Sequence, residues 1–97
     1  MKIRDFKLDD AQDVVEILKL NNQYSPVVEE PAAMKRVSEC GVAVYLVAVE
    51  NGKVVGVIKG VYDGSRALIH QLSVHPEHQK RGIGLSLVRE IAGRFKT

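Results

Sequence analysis

Asn51-Gly52 separates two apolar, β-branched runs, Val42 to Val49 and Val54 to Tyr62. A two-residue type I′ turn needs positive φ at both central positions, and Asn-Gly supplies it with little strain. The two runs therefore form an antiparallel hairpin. Val42 to Val49 is apolar at successive positions, not only at alternate ones, as expected of a central strand covered on both faces.

The segments on either side fit around that hairpin. Met1 to Lys7 alternates loosely and reads as a first strand. Asp9 or Asp10 then offers a carboxylate at a helix start. Ala11, Val14, Val15 and Leu18 follow at i, i+3, i+4 and i+7, one face of an amphipathic helix that Asn21 and Asn22 end. Pro31 suits the first turn of a second helix, with Met34, Val37 and Cys40 on its apolar side and Gly41 closing it. After the hairpin, Asp63-Gly64 makes a turn and Ala67 to Val74 a strand. A polar loop from His75 to Arg81 leads into a last helix, where Ile83, Leu87, Val88, Ile91, Ala92 and Phe95 share a face. The order β-α-α-β-β-β-α is an α+β fold, a mostly antiparallel sheet with helices packed on it. No repeat or linker divides residues 1–97, so one domain is expected.

Composition removes several functional classes. A hydrophobic fraction of 45% and a charged fraction of 27% are ordinary for a globular protein. The net charge of +2 and aromatic content of 5% are too low for a nucleic-acid surface. Cys40 is the single cysteine, which rules out an intrachain disulfide. No apolar run approaches the roughly 20 residues that span a bilayer, and Met1 to Arg4 leads straight into a strand pattern. A cytoplasmic protein with no membrane partner and no metal is expected.

The strand-to-helix junction Leu72-Ser73-Val74-His75-Pro76-Glu77-His78-Gln79-Lys80-Arg81-Gly82-Ile83-Gly84 carries the chemistry. Gly82 and Gly84 allow a tight turn and put no Cβ between the backbone N–H groups and a ligand. The helix N-terminus adds unpaired donors and about half a positive charge, a setting for phosphate or pyrophosphate. Lys80 and Arg81 add charge nearby. The P-loop pattern fails because Leu85 follows Gly84, and the dinucleotide fingerprint fails because Lys80 stands where its first glycine belongs.

Val74 to Gly84, with its Gln-x-x-Gly-x-Gly core after a Val-x-Pro, resembles the acetyl-CoA motif of the Gcn5-related N-acetyltransferases. The element order resembles that family along essentially the whole chain. The resemblance implies an acyl-CoA N-acyltransferase-like fold and transfer of an acetyl group from acetyl-CoA to a primary amine. It implies that the backbone at Leu72, Ser73 and Val74 bonds the acetyl and pantetheine portions. The amides of Gln79, Lys80, Arg81, Gly82, Ile83, Gly84 and Leu85 would cradle the pyrophosphate.

For the base, His70 is the candidate, two residues before Leu72 on the cofactor strand. Imidazole changes charge near neutral pH, although the position suits a sheet histidine with a satisfied hydrogen bond somewhat better. His75 and His78 read as surface loop residues, Glu29 and Glu30 as helix-start charges, and Tyr45 as core. Complete members of the family continue past the motif helix with further strands and a helix. The resemblance therefore implies a fold lacking its C-terminal part, or a piece of a longer protein, or a module that binds CoA without turnover. The strand Ala67 to Val74 is apolar on both faces and has no proline or lysine to guard an edge. Association of two copies through that edge is expected.

Overall fold

The structure, a computed structural model, describes residues 1–96, the side chains of residues 27 and 28 excepted. The sequence end, Thr97, lies outside the described residues. Strand β1 (Lys2–Asp5) is followed by a 3-10 turn (Leu8–Asp10) and helix α1 (Ala11–Leu20). A short helix α2 (Pro26–Glu29) and helix α3 (Pro31–Ser38) precede β2 (Ala43–Glu50), β3 (Lys53–Tyr62) and β4 (Ala67–Val74). A second 3-10 turn (Pro76–His78) leads to α4 (Ile83–Phe95). The α+β fold read from the sequence is the one observed, with α2 as an addition that the sequence pattern did not reveal.

The four strands form one antiparallel sheet in the order β1-β2-β3-β4. Asn51 and Gly52 both have positive φ, 53° and 78°, as the hairpin requires. Side-chain alternation sends Tyr45, Val47 and Val57 to one face, where they pack with Val14, Ile17, Leu18 and Met34 of α1 and α3. Leu46, Ala48, Val55 and Ile58 face the other way, against Ile83, Leu87 and Ile91 of α4. Both faces of the central strands are thus covered, which explains their unbroken apolar runs.

Two register shifts interrupt the ladders. Ala48 pairs with Gly56 but Val49 with Val54, leaving Val55 as the extra residue. Lys59 pairs with Gln71 and Gly60 with Ile69, so His70 is the extra residue of a β-bulge in β4. Among the described residues β4 pairs only with β3, and it is an edge strand. Leu68 and Ile69 on it are exposed.

Three readings need correction. Cys40 is exposed, because α3 stops at Ser38 and the helical period was carried past the real end. Val88 and Ala92 are exposed, because α4 docks through the narrower stripe Ile83, Leu87 and Ile91. His75 is buried, not a surface residue. Its Nδ1 accepts the Glu77 N–H at 3.1 Å, and its ring meets His78 edge-on.

Candidate functional site

The end of β4, the loop after it and the first turn of α4 border one cleft. It has a volume of about 290 Å³ and is lined by Asn21, Gln23, Leu72, Ser73, Val74, Gln79 and Gly84. The end of α1 closes one side, the start of α4 the other, and the open edge of β4 is the floor. His75 N–H donates to Val55 C=O at 2.8 Å, pointing towards β3. By strand alternation Leu72 and Val74 therefore turn their N–H and C=O outward, along the cleft.

The loop is shaped by two left-handed residues, Lys80 (φ 67°) and Gly82 (φ 83°). Gly82 is the residue before α4, and its carbonyl accepts the Ser86 N–H at 3.0 Å as the first helical bond. The N–H groups of Ile83, Gly84 and Leu85 precede that bond and have no acceptor within the helix. A Cβ on Gly84 would stand 3.8 Å from Val74 Cγ2 and 3.9 Å from Leu72 Cδ2, between the strand edge and the helix start. Arg81 is exposed and pairs with Glu50 Oε1 at 3.3 Å, which anchors the loop to the end of β2. The residues from Leu72 to Leu85 singled out in the sequence are therefore brought together at one junction, with Leu85 itself exposed on the first turn.

His70 lies elsewhere on the same strand. It is exposed and lines a separate hollow of about 200 Å³ with Val37, Cys40, Ala43, Lys59, Gly60 and Val61. The bulge accounts for this position, since the extra residue shifts the alternation and sets His70 on the α3 side of the sheet.

Beneath that bulge is a buried polar cluster. Lys59 Nζ stands 3.3 Å from both carboxylate oxygens of Glu29, and Gln71 Nε2 donates to Glu29 Oε1 at 2.9 Å. Both ion-pair side chains are less than a tenth exposed. Tyr45 is stacked on Phe6, with rings 4.3 Å apart. Burial and the nearby Glu29 charge push its hydroxyl well above the usual tyrosine range, so it stays protonated. Tyr45 Oη and Gln71 Oε1 are buried without a partner among the described residues.

Sequence reasoning missed Asn21 and Glu29. Asn21 read as a helix end and Glu29 as a helix-start charge, because their partners lie far along the chain. No group of three or more His, Cys, Asp or Glu suited to a metal occurs among the described residues. No helix among them is long and apolar enough to cross a membrane.

Comparison with known proteins agrees with this fold. "Acetyltransferase plu1384" of Photorhabdus laumondii subsp. laumondii is 35% identical over 91 residues, which cover 94% of this chain and 64% of that protein. The chain thus spans about two thirds of that relative's length. The PaiA N-acetyltransferase from Thermoplasma acidophilum, solved with coenzyme A, superposes with a TM-score of 0.87 at 17% identity. That match covers 98% of this chain and 71% of the other. An aminoglycoside 6'-N-acetyltransferase complexed with coenzyme A gives 0.82 at 20% identity, covering 99% and 56%. At such identities the likeness is one of fold. The family model described as Acetyltransferase (GNAT) family matches residues 14–97, and the chain belongs to that family.

Proposed function

We propose that this chain binds acetyl-CoA in the cleft at the end of β4 and serves transfer of the acetyl group to a primary amine. The observation that carries the reading is the meeting of an open strand edge with a left-handed glycine loop at a helix N-terminus. The outward N–H and C=O of Leu72 and the outward N–H of Val74 suit the amides of a pantetheine arm. The unpaired N–H groups of Ile83 to Leu85 suit a pyrophosphate, with the helix dipole and Lys80 adding positive potential. The family relatives solved with coenzyme A support the same ligand.

In such a transfer the amine lone pair attacks the thioester carbonyl carbon, the C–N bond forms and the C–S bond breaks. The amine loses a proton and the departing thiolate gains one. An alkylammonium titrates near pH 10.4, so a base must help at neutral pH. His70 is proposed for that role, being exposed at the bulge where β4 leaves its regular register.

Calorimetric titration with CoA, with thiol release from acetyl-CoA over a panel of primary amines, tests the proposal. The wild-type chain is expected to bind CoA, and Gly82→Glu to abolish binding through an intruding carboxylate. Unchanged affinity in that variant would remove the site assignment. Binding without thiol release for any amine would favour a CoA-binding module. His70→Ala is expected to lower turnover by about two to four orders of magnitude, with CoA affinity unchanged. Full activity in that variant would make His70 a structural sheet residue.

A further inference from the structure

Asn21 directly follows α1, and its side chain reaches the edge strand β4. Nδ2 donates to Ser73 Oγ at 2.6 Å and to the Val74 carbonyl at 2.8 Å. Oδ1 accepts from Gln79 Nε2 at 3.3 Å, and the same Gln79 group donates to the Val74 carbonyl at 3.0 Å. The Val74 carbonyl can only accept, which fixes the amide orientation: Nδ2 faces the strand and Oδ1 faces Gln79. One side chain thus ties together the end of α1, the end of β4 and the first residue of the glycine loop. These are the pieces that border the cleft.

The clamp also changes what the strand edge offers. A carbonyl oxygen has two lone pairs, and at Val74 both are engaged, by Asn21 and by Gln79. The outward group left at that position is the N–H. A strand from another chain needs alternating donors and acceptors along its length, so it cannot continue its ladder there. A ligand arm that places a carbonyl opposite Val74 can.

We propose that Asn21 is a positioning residue that sets the loop of residues 79–85 against β4 and makes the edge at Val74 donor-only. The role rests on the CoA reading of this cleft. It selects a ligand arm presenting a hydrogen-bond acceptor, such as an amide carbonyl, at that point of the edge.

The experiment compares the wild-type chain with Asn21→Ala and Asn21→Asp, each held below its own melting temperature. CoA affinity is measured by calorimetry, and amide exchange across residues 79–85 by NMR. Both variants are expected to bind CoA about tenfold or more weakly, the loss expected from one or two hydrogen bonds. Asn21→Asp should do no better than Asn21→Ala, because it sets acceptors against a carbonyl. Exchange at Gly82 to Leu85 should quicken in both. A lower melting temperature with affinity within twofold of wild type and unchanged loop exchange would overturn the proposal, leaving Asn21 as a joint between α1 and the sheet. If the wild-type chain itself fails to bind CoA, the CoA reading falls, and loop exchange in Asn21→Ala alone decides whether Asn21 positions the loop.

Discussion

Gly82 and Gly84 stand two residues apart and are needed for different reasons. At Gly82 a Cβ would meet nothing within 4 Å, but φ is 83°, a conformation that L side chains rarely adopt. At Gly84 the backbone is ordinarily helical, and the space between Val74 and Leu72 is what matters. Gly82→Ala is therefore expected to destabilise the fold by about 1–2 kcal/mol, read as a lower urea midpoint. Gly84→Ala should leave the midpoint nearly unchanged, since contacts of 3.8 and 3.9 Å are ordinary. Gly84→Glu should fold and fail to bind CoA. Equal midpoints for the two alanine variants would show that the loop relaxes around Gly82. These glycines were legible in the sequence because their work is local. Asn21 was not, since its partners Ser73, Val74 and Gln79 lie more than fifty residues on and no local pattern points to them.

The helical elements are held to the sheet by buried charge as well as by apolar area. Arg4 of β1 makes two hydrogen bonds to the Asp10 carboxylate, at 2.8 and 2.9 Å, and the Lys7 N–H donates to it at 2.8 Å. Asp10 thus reaches back to the turn before α1 and does not cap α1 itself. Burial raises its pKa, but the Arg4 guanidinium and the Lys7 N–H outweigh that effect, and the carboxyl lies below its ordinary range. A depressed folded value gives stability that is complete above the unfolded value near 3.9 and is lost as pH falls through the folded value. Asp10→Asn should therefore cost about 1–2 kcal/mol at neutral pH, and the gap to wild type should close in strong acid. A gap that persists in acid would assign the loss to packing.

At α2 the pair of Glu29 and Lys59 predicts an asymmetry. Glu29→Ala leaves a buried ammonium uncompensated and should cost about 3–5 kcal/mol. The double change Glu29→Leu with Lys59→Met should recover most of that in thermal melts. If the double variant is as unstable as the single one, the bond from Glu29 to Gln71 matters more than the charge pair. The sequence showed a carboxylate two residues before Pro31 and nothing of its partner 30 residues away. It showed α3 well, but not where α3 stops, and Cys40 went to the wrong environment for that reason.

Taken as a whole, the described molecule is a four-stranded antiparallel sheet between two helical layers, with β1 and β4 as its edges. The element order and the covered centre followed from the hairpin and the apolar runs, which is why the fold was largely readable. The apolar residues of β4 are not matched by a second strand among the described residues. Leu68 and Ile69 are 59% and 41% exposed, and Leu85 on α4 is 55% exposed. The clamp at Val74 guards only the cleft end of this edge, so the end near Ala67 remains available for pairing. The chain is expected to associate, most simply as a symmetric dimer, and Leu68→Lys to shift it towards monomer. Light scattering across a dilution series reads both. A wild-type monomer at micromolar concentration would show that the remaining edge does not pair.

Gly56 gives the site a further property. A Cβ there would come within 3.1 Å of Leu87 Cδ1 and 3.2 Å of Ile83 Cγ2, so β3 and the first turns of α4 meet closely with little room to shift. One end of the proposed ligand loop is therefore seated on the sheet by packing, and the other is tied through Gln79. Ordering a loose loop costs about 1–2 kcal/mol per residue in lost freedom, and here that cost falls on folding instead of on ligand arrival. A ligand reaching a finished seat has no closure step to wait for. Its association should be a single encounter, with a rate that rises in proportion to ligand concentration and shows no plateau.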